Sequence, residues 1–489
     1  MKTLRKRLVP PADYRPSASD LTRHLTWPSL PVAWLVFSFL LVGGPLNLAT
    51  ESPRPNLIFI MADDLGYGDL GCYGQRQIRT PHLDRMAAEG IRFTQVYAGS
   101  PVCAPARSVL MTGQHTGHTR VRGNAGQAGA EHGAVLCTGR GHGWRVPLRP
   151  EDVTVAEVLQ SAGYTTGITG KWGLGEPGTT GTPNRKGFHE WFGFLNQARA
   201  HEYYPDYLWR DETRFPLPGN LDGRQEQYAH DLFTEFSLDF VRRHARTGAP
   251  FFLYLAYTVP HDKFQIPELE PYAEAADWSR QERVYASMVT RLDRDIGRLL
   301  GLLDELGVDR QTAVFFCSDN GAANRYDGVF DSSGPLRGRK RDLYEGGLRV
   351  PMIVRWPGRI PAGLTSDAIW YFTDLLPTFA ALAGTTPPAA IDGRDLGPTL
   401  LGQDQPDLRQ RLLYWEFFER GFQQAARRGD WKVVRPGFDQ PLQVFDLARD
   451  PGETQDLAGA HPDIVARFEA DLKSVCVPFP DWPAPVDTR

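Results

Sequence analysis

Cysteine is scarce in this 489-residue chain. The five present (Cys72, Cys103, Cys137, Cys317 and Cys476) are odd in number and include no C-x-x-C pair. That argues against a disulfide framework or a zinc cluster, and leaves at least one cysteine for another purpose. An excess of one charge is also lacking. The formal net charge of −4 offers no electrostatic footing for nucleic acid, and no nucleic-acid partner is expected. There is no internal repeat and no low-complexity tract. The one notable apolar lead, from about Leu30 to Gly44, is short for a membrane span and roughly of signal-peptide length. It follows Lys2, Arg5, Lys6 and Arg7, the region near Ala49 has no clean A-x-A, and no cysteine stands where a lipid would be attached. Residues 1–52 are therefore read as an export signal and leader, with a periplasmic or secreted destination. An uncleaved signal that anchors the chain is the alternative, and no stable membrane partner is expected otherwise.

What is there is globular. The chain is 41% hydrophobic and 23% charged, with 49 Gly and 39 Pro to supply loops. Its length suits one large domain and a smaller one. From residue 53 to about 385, short continuous apolar runs alternate with helical patterns. The runs are Asn56–Met61, Tyr164–Thr169, Phe251–Ala256, Thr312–Cys317 and Val350–Arg355. The helical stretches are Thr80–Ala88, a helix capped by Thr154 and Glu157, about Tyr228–Arg243, Glu282–Leu306 and Thr373–Leu382. Ile91–Val96 alternates like a strand. This order predicts an α/β fold, a large and mostly parallel mixed sheet flanked by helices. The stretch from about Pro177 to Asn220 reads as irregular and aromatic, and a loop that long in a compact domain is usually functional. From 386 to 489, short runs at hairpin spacing (Leu412–Glu416, Trp431–Val434, Gln443–Leu447) and a helix from about Pro462 to Val475 predict a smaller antiparallel α+β subdomain.

In open parallel sheets, ligands bind at the carboxyl ends of the strands. Asp63 and Asp64, Lys171, His261, and Asp319 with Asn320 each fall just after a predicted strand. Adjacent acids at the end of a buried strand repel unless a cation sits between them. Three carboxylates and an amide oxygen point to a hard divalent ion, calcium before magnesium. Between the strands lies Ser100-Pro-Val-Cys103-Ala-Pro105-Ala106-Arg107-Ser-Val-Leu110-Met-Thr112-Gly113. Pro105 suits the first turn of a helix, which puts Cys103 where free backbone N–H groups and the dipole favour an anion. Arg107, one turn on, adds a forked cation on the same side. The alternative from this stretch alone is a buried core cysteine before an ordinary helix. His115, His118, Arg120, Arg122 and Asn124 follow in a Gly-rich loop that either lines a pocket or is polar surface.

C-x-P-x-R followed by Leu-x-Thr-Gly resembles the signature of the type I, formylglycine-dependent sulfatases, arylsulfatase-like members of the alkaline phosphatase superfamily. Cys103, Pro105, Arg107, Leu110, Thr112 and Gly113 match, and Ala106 replaces the Ser often found there. The Asp pair, the Asp319-Asn320 pair and an ending of Asp446-Leu447 before Asp450-Pro-Gly-Glu453 agree in order, so the resemblance runs from Asn56 to about Leu457. It implies an alkaline phosphatase-like fold and hydrolysis of a sulfate ester on a sulfated saccharide or aryl sulfate. A maturation enzyme would convert Cys103 to formylglycine, which completes the shell of a divalent ion held by Asp63, Asp64, Asp319 and Asn320. The hydrated aldehyde would attack sulfur, the alcohol would leave with a proton from His261 or Lys340, and a second hydroxyl would lose its proton as sulfate departs. Arg107, Lys171 and Lys340 would stabilise the ester oxygens. One departure stands out. Many relatives have Lys-Trp-His-Leu-Gly where this chain has Lys171-Trp172-Gly173-Leu174-Gly175. His201 is the candidate to replace that imidazole, and a substrate contact or a surface residue is its other reading. Tyr203, Trp415 and Glu416 are further candidate substrate contacts. A phosphate ester hydrolase and a non-enzymatic carbohydrate-binding relative are the competing functions.

Overall fold

A computed structural model describes residues 54–124 and 146–482, and the backbone of the short paired strands at 135–136 and 144–145. The expected leader and Cys137 lie outside the described residues. Pro53–Arg489 packs as one compact unit built around two sheets.

The first strand shows why the larger sheet is central. Every residue of β1 (Asn56–Ala62) is buried. Leu57, Phe59 and Met61 enter one apolar layer, and Ile58, Ile60 and Ala62 enter the layer on the opposite face. The chain continues through α1 (Pro81–Ala88), β2 (Ile91–Tyr97), α2 (Cys103–Thr112), β3 (Val135–Leu136), β4 (Trp144–Arg145), α3 (Val155–Ser161), β5 (Thr165–Lys171), β6 (Glu190–Phe194), β7 (Tyr207–Arg210) and β8 (Thr213–Pro216). After these come α4 (Ala229–His244), β9 (Phe251–Ala256), α5 (Arg280–Glu305), β10 (Thr312–Ser318), α6 (Glu345–Leu348), β11 (Arg349–Arg355), β12 (Leu364–Tyr371) and α7 (Leu375–Leu382). Ten strands form one sheet in the order β12-β2-β11-β10-β1-β9-β5-β6-β7-β8. The five from β10 to β6 are mutually parallel. Helices α2, α3 and α7 cover one face, and α1, α4 and α5 the other. The capping boxes Thr154/Glu157 and Ser279/Glu282 start α3 and α5 with both reciprocal bonds formed.

The mostly parallel sheet stands, with two differences from the sequence-based expectation. Residues 177–220 are not wholly irregular: β6 extends the parallel run, and β7 and β8 turn back from it as an antiparallel meander. Strand β11 is antiparallel to β10, because the chain from 319 to 348 has no crossover helix to return it to the other edge.

The second sheet follows the short helices α8 (Gly397–Leu400) and α9 (Asp407–Gln410). It is antiparallel, β13 (Leu413–Phe417), β14 (Gln423–Arg428), β15 (Trp431–Arg435) and β16 (Gln443–Asp446), and is followed by α10 (Pro462–Val475). One face, with Leu413, Trp415 and Phe417, packs on Tyr97 and Tyr371 of the large sheet. Its other face packs Tyr414, Ala426, Val433 and Val444 against Phe468 and Leu472 of α10.

Candidate active site

Strands β1 and β10 run parallel with Ala62 opposite Ser318, so the residues that follow each emerge side by side. Asp63 and Asp64 therefore meet Asp319 and Asn320. The Asp64 N–H donates to Asp319 Oδ1 at 3.1 Å, and Asn320 Nδ2 donates to Asp64 Oδ1 at 2.7 Å. Asp64 holds φ at +67°, a left-handed conformation uncommon outside glycine. Gly321 makes the close packing of this turn feasible, since a Cβ there would lie 1.8 Å from the Gly346 carbonyl oxygen.

Three more elements deliver their side chains to the same place. Cys103 is the first residue of α2, and its Sγ donates to Asp63 Oδ1 at 3.2 Å. Arg107, on the same helix, donates to Asp319 Oδ2 at 2.9 Å and to the Lys171 carbonyl at 2.8 Å. Lys171 ends β5 and reaches Asp63 Oδ2 at 2.6 Å. Lys340 arrives on a loop whose next residue, Arg341, donates its N–H to the Pro101 carbonyl. Its ammonium lies 2.7 Å from Asp64 Oδ2 and 2.9 Å from His261 Nε2. The other ring nitrogen of His261, Nδ1, faces the carbonyl oxygen of Asp262 at 2.7 Å and its carboxylate at 2.5 Å. That contact directs Nε2 to the cluster.

Burial opposes every charge here, and the neighbours overrule it selectively. It pushes Asp63 up, but Lys171, His261, Arg107 and Lys340 hold that carboxyl well below the usual range. Asp64 is lowered against burial by Lys340 and then His261. Asp319 goes the other way: burial and the Asp63 charge outweigh Arg107 and push it up to about 6. Burial also disfavours a charged His261, yet Asp64 raises it to about 10.

Asp63, Asp64, Cys103 and His261 bring ligand atoms within 4.8 Å of one another. Asn320 Oδ1 is buried beside them with no hydrogen-bond partner. An orphaned oxygen among carboxylates fits a hard cation, and the oxygen-rich donor set fits calcium or magnesium. Above the cluster opens a cavity of about 910 Å³, with Asp64, Cys103, His261 and Lys340 at its base and His201, Arg339 and Arg341 among its walls.

The other candidate contacts separate sharply. His201 lines the cavity, its ring centroid 4.1 Å from that of His261. Burial, followed by His261 and Lys171, lowers its imidazole to about 3. Tyr203, Trp415 and Glu416 are completely buried and present no surface to a substrate. The Tyr203 hydroxyl lies 2.7 and 2.8 Å from the carbonyl oxygens of Thr258 and His261, so it braces the histidine loop. Trp415 donates its indole N–H to the Ala98 carbonyl, and Glu416 is paired with Arg122 at 2.7 Å. Aromatic and acidic composition suggested sugar contacts; complete burial overturns that expectation, Trp415 between the two sheets and Tyr203 in the core of the large sheet. Sequence reasoning passed over Gln197 and Asp262, since a lone amide and a lone loop acid carry no local signal, and left Asn124 between pocket and surface. Gln197 and Asn124 line the cavity beside Cys103.

A cavity lined by Lys263, Arg339, Lys340 and Arg341 over buried carboxylates, with a cysteine at a helix N-terminus at the carboxyl ends of parallel strands, suits a hydrolase of anionic esters. The comparisons narrow the class. A family profile described as Sulfatase matches residues 55–385, and one described as N-sulphoglucosamine sulphohydrolase, C-terminal, matches residues 338–476. N-acetylgalactosamine-6-sulfatase of Sus scrofa is 35% identical over 470 residues, which cover 86% of this chain and 84% of that protein. Arylsulfatase A of Homo sapiens is 34% identical, covering 87% and 88%. The crystal structure of Ps i-CgsB in complex with k-i-k-neocarrahexaose has a TM-score of 0.76 at 28% identity, covering 89% of this chain and 96% of that one. The chain belongs to the sulfatase family and is a sulfuric ester hydrolase.

Proposed function

We propose that this protein hydrolyses a sulfate ester on a sulfated carbohydrate, with residue 103 acting as formylglycine and a divalent cation, calcium before magnesium, held by Asp63, Asp64, Asp319 and Asn320. The observation that carries the reading is Cys103 at the start of α2, 3.2 Å from Asp63, in a cavity lined by Lys340, with Lys171 and Arg107 buried against Asp63 and Asp319. The relatives named for an N-acetylgalactosamine sulfate and the neighbour complexed with a neocarrahexaose support a saccharide substrate. Hydrated formylglycine supplies the oxygen nucleophile, and the cation supplies positive charge to the ester oxygens. Lys171, Arg107 and Lys340 bind and orient the sulfate group and stabilise the charge that builds as the S–O bond breaks. His261, with Nδ1 held by Asp262, presents Nε2 beside Lys340 and donates the proton to the departing alcohol oxygen. His201 lies against that imidazole, its ring tilted by 39°, and lines the substrate cavity.

Conversion of Cys103 requires a formylglycine-generating enzyme as partner. The basic-then-apolar leader supports export to the periplasm or outside the cell. Release of inorganic sulfate, and separately of phosphate, from a panel of sulfated and phosphorylated sugars and aryl esters tests the reading. The protein is co-expressed with the maturation enzyme, and Cys103→Ala is the blank. Sulfate release that disappears in the blank is expected. Phosphate release alone would transfer the chain to phosphoester chemistry.

A further inference from the structure

Gln197 lines the cavity together with Cys103, and its buried amide oxygen has no partner. Gln197 is 4% exposed and its Oε1 accepts no hydrogen bond. Its orientation follows from a chain of donors. The Ala104 N–H, in the first turn of α2 where no intrahelical acceptor exists, donates to Asn124 Oδ1 at 3.0 Å. A backbone N–H can only donate, so Asn124 presents its oxygen there. Gln197 meets that same oxygen at 3.3 Å through Nε2. Its own oxygen must therefore point elsewhere. It lies 2.3 Å from where a Cβ on Gly173 would stand, and Ala104 Cβ lies 4.0 Å from that point. Gly173 has φ at +77°, so a side chain there would be strained as well as blocked. Glycine at 173 clears the place that the glutamine oxygen takes.

We propose that Gln197 is a positioning residue for residue 103, its Oε1 accepting a hydrogen bond from one hydroxyl of the hydrated formylglycine. The proposal rests on the conversion of Cys103 argued above. The amide is tied through Asn124 to the N–H of residue 104, which holds it in register with residue 103 rather than with any substrate. The Cys103 thiol is directed to Asp63, and an unhydrated aldehyde has no O–H to give. Addition of water across the aldehyde forms one C–O bond as the C=O π bond and one water O–H bond break, the proton passing to the former carbonyl oxygen; of the two hydroxyls that result, one satisfies the orphaned oxygen. An amide oxygen is too weak a base to remove that proton, so Gln197 favours the hydrate and fixes its rotation.

The test uses the full chain co-expressed with a formylglycine-generating enzyme. Peptide mass first establishes the aldehyde at 103. An aminooxy probe, which consumes free aldehyde, is then applied to folded wild type, Gln197→Met and Gln197→Glu, with kcat and KM for sulfate release measured in parallel. Gln197→Met is expected to label several-fold faster and to lose kcat with little change in KM. Gln197→Glu, which keeps an acceptor but loses the Nε2–H bond to Asn124, is expected to label at a rate between those of wild type and Gln197→Met. If Gln197→Met does not fold, Gly173→Ala displaces the same oxygen and is expected to label faster too. An aldehyde with labelling unchanged in these variants overturns this role alone. A thiol at 103 in the co-expressed wild type overturns the conversion and this role together.

Discussion

Two of the buried charge clusters among the described residues differ in their access to solvent. Where the two sheets meet, Lys432 of β15 lies 2.9 Å from Glu345 Oε1 and 2.9 Å from Glu453 Oε1, all three side chains fully buried. The remaining oxygens are taken as well: Glu345 Oε2 by the Tyr97 hydroxyl and Glu453 Oε2 by the Glu345 N–H. At the carboxyl ends of β1 and β10 the burial is just as complete, yet Asn320 Oδ1 has no partner and a cavity reaches Asp64, Cys103, His261 and Lys340. Burial and ion pairing alone do not mark a functional site, since both clusters have them. An open approach does, since the cavity reaches one cluster and not the other. The contrast also explains the family-like ending at Asp450-Pro451-Gly452-Glu453: its glutamate belongs to the closed cluster and joins the sheets.

The comparison breaks most visibly in activity. Lys171→Met is expected to cut sulfate release by the folded, converted enzyme about a hundredfold to a thousandfold, while Lys432→Met leaves kcat of the folded fraction unchanged. Equal losses in the two variants would erase the distinction. Stability follows. Lys432→Met strands two buried carboxylates and is expected to lower the unfolding free energy by roughly 3–5 kcal/mol in a denaturant titration. An unaltered midpoint would mean that the closed cluster carries no structural weight.

Metal removal separates the clusters more gently. Calcium at about a hundred times its Kd should stabilise the native protein by about 2.7 kcal/mol, and chelation should return Tm to the metal-free value. The same increment is expected in Lys432→Met, because the proposed cation site belongs to the other cluster. If neither calcium nor magnesium shifts Tm, the cation site is rejected. The smallest effect concerns pH. Burial and the nearby Glu345 charge outweigh Lys432 and push Glu453 from its ordinary 4.5 up to about 7. Between those values the folded state keeps a proton that the unfolded chain releases, so this group's contribution makes stability fall as pH rises through that window. Glu453→Gln should flatten the Tm–pH curve over the same range, and an unchanged slope would assign it to other groups.

Much of the open cluster is legible in the sequence alone. Asp63-Asp64, Lys171 and Asp319-Asn320 each end an apolar run, and a parallel sheet gathers such ends on one edge. Cys103 and Arg107 are readable because Pro105 announces a helix start. Strand β14 is not, since Gln424 and Arg427 are polar yet fully buried, Arg427 against the Tyr97 hydroxyl. Tyr203, Trp415 and Glu416 mislead for the converse reason: composition reports what a side chain can contact, and burial is set by elements distant in the chain.

By itself, the sequence determined the buried strands, the helix starts, the residues at the strand ends and the membership in a family of sulfuric ester hydrolases. The strands, helix starts and strand-end residues rest on local patterns, period and capping, which a linear chain carries in full; the family rests on the resemblance of the motif around Cys103 and its companions. Only the tertiary structure decided which acids belong to a closed ion cluster and which to an open one. It also decided that Gln197 fills the space left by Gly173, and that three apparent substrate contacts serve packing. Each of those depends on what another segment places within a few ångströms, and that is a property of the packed molecule.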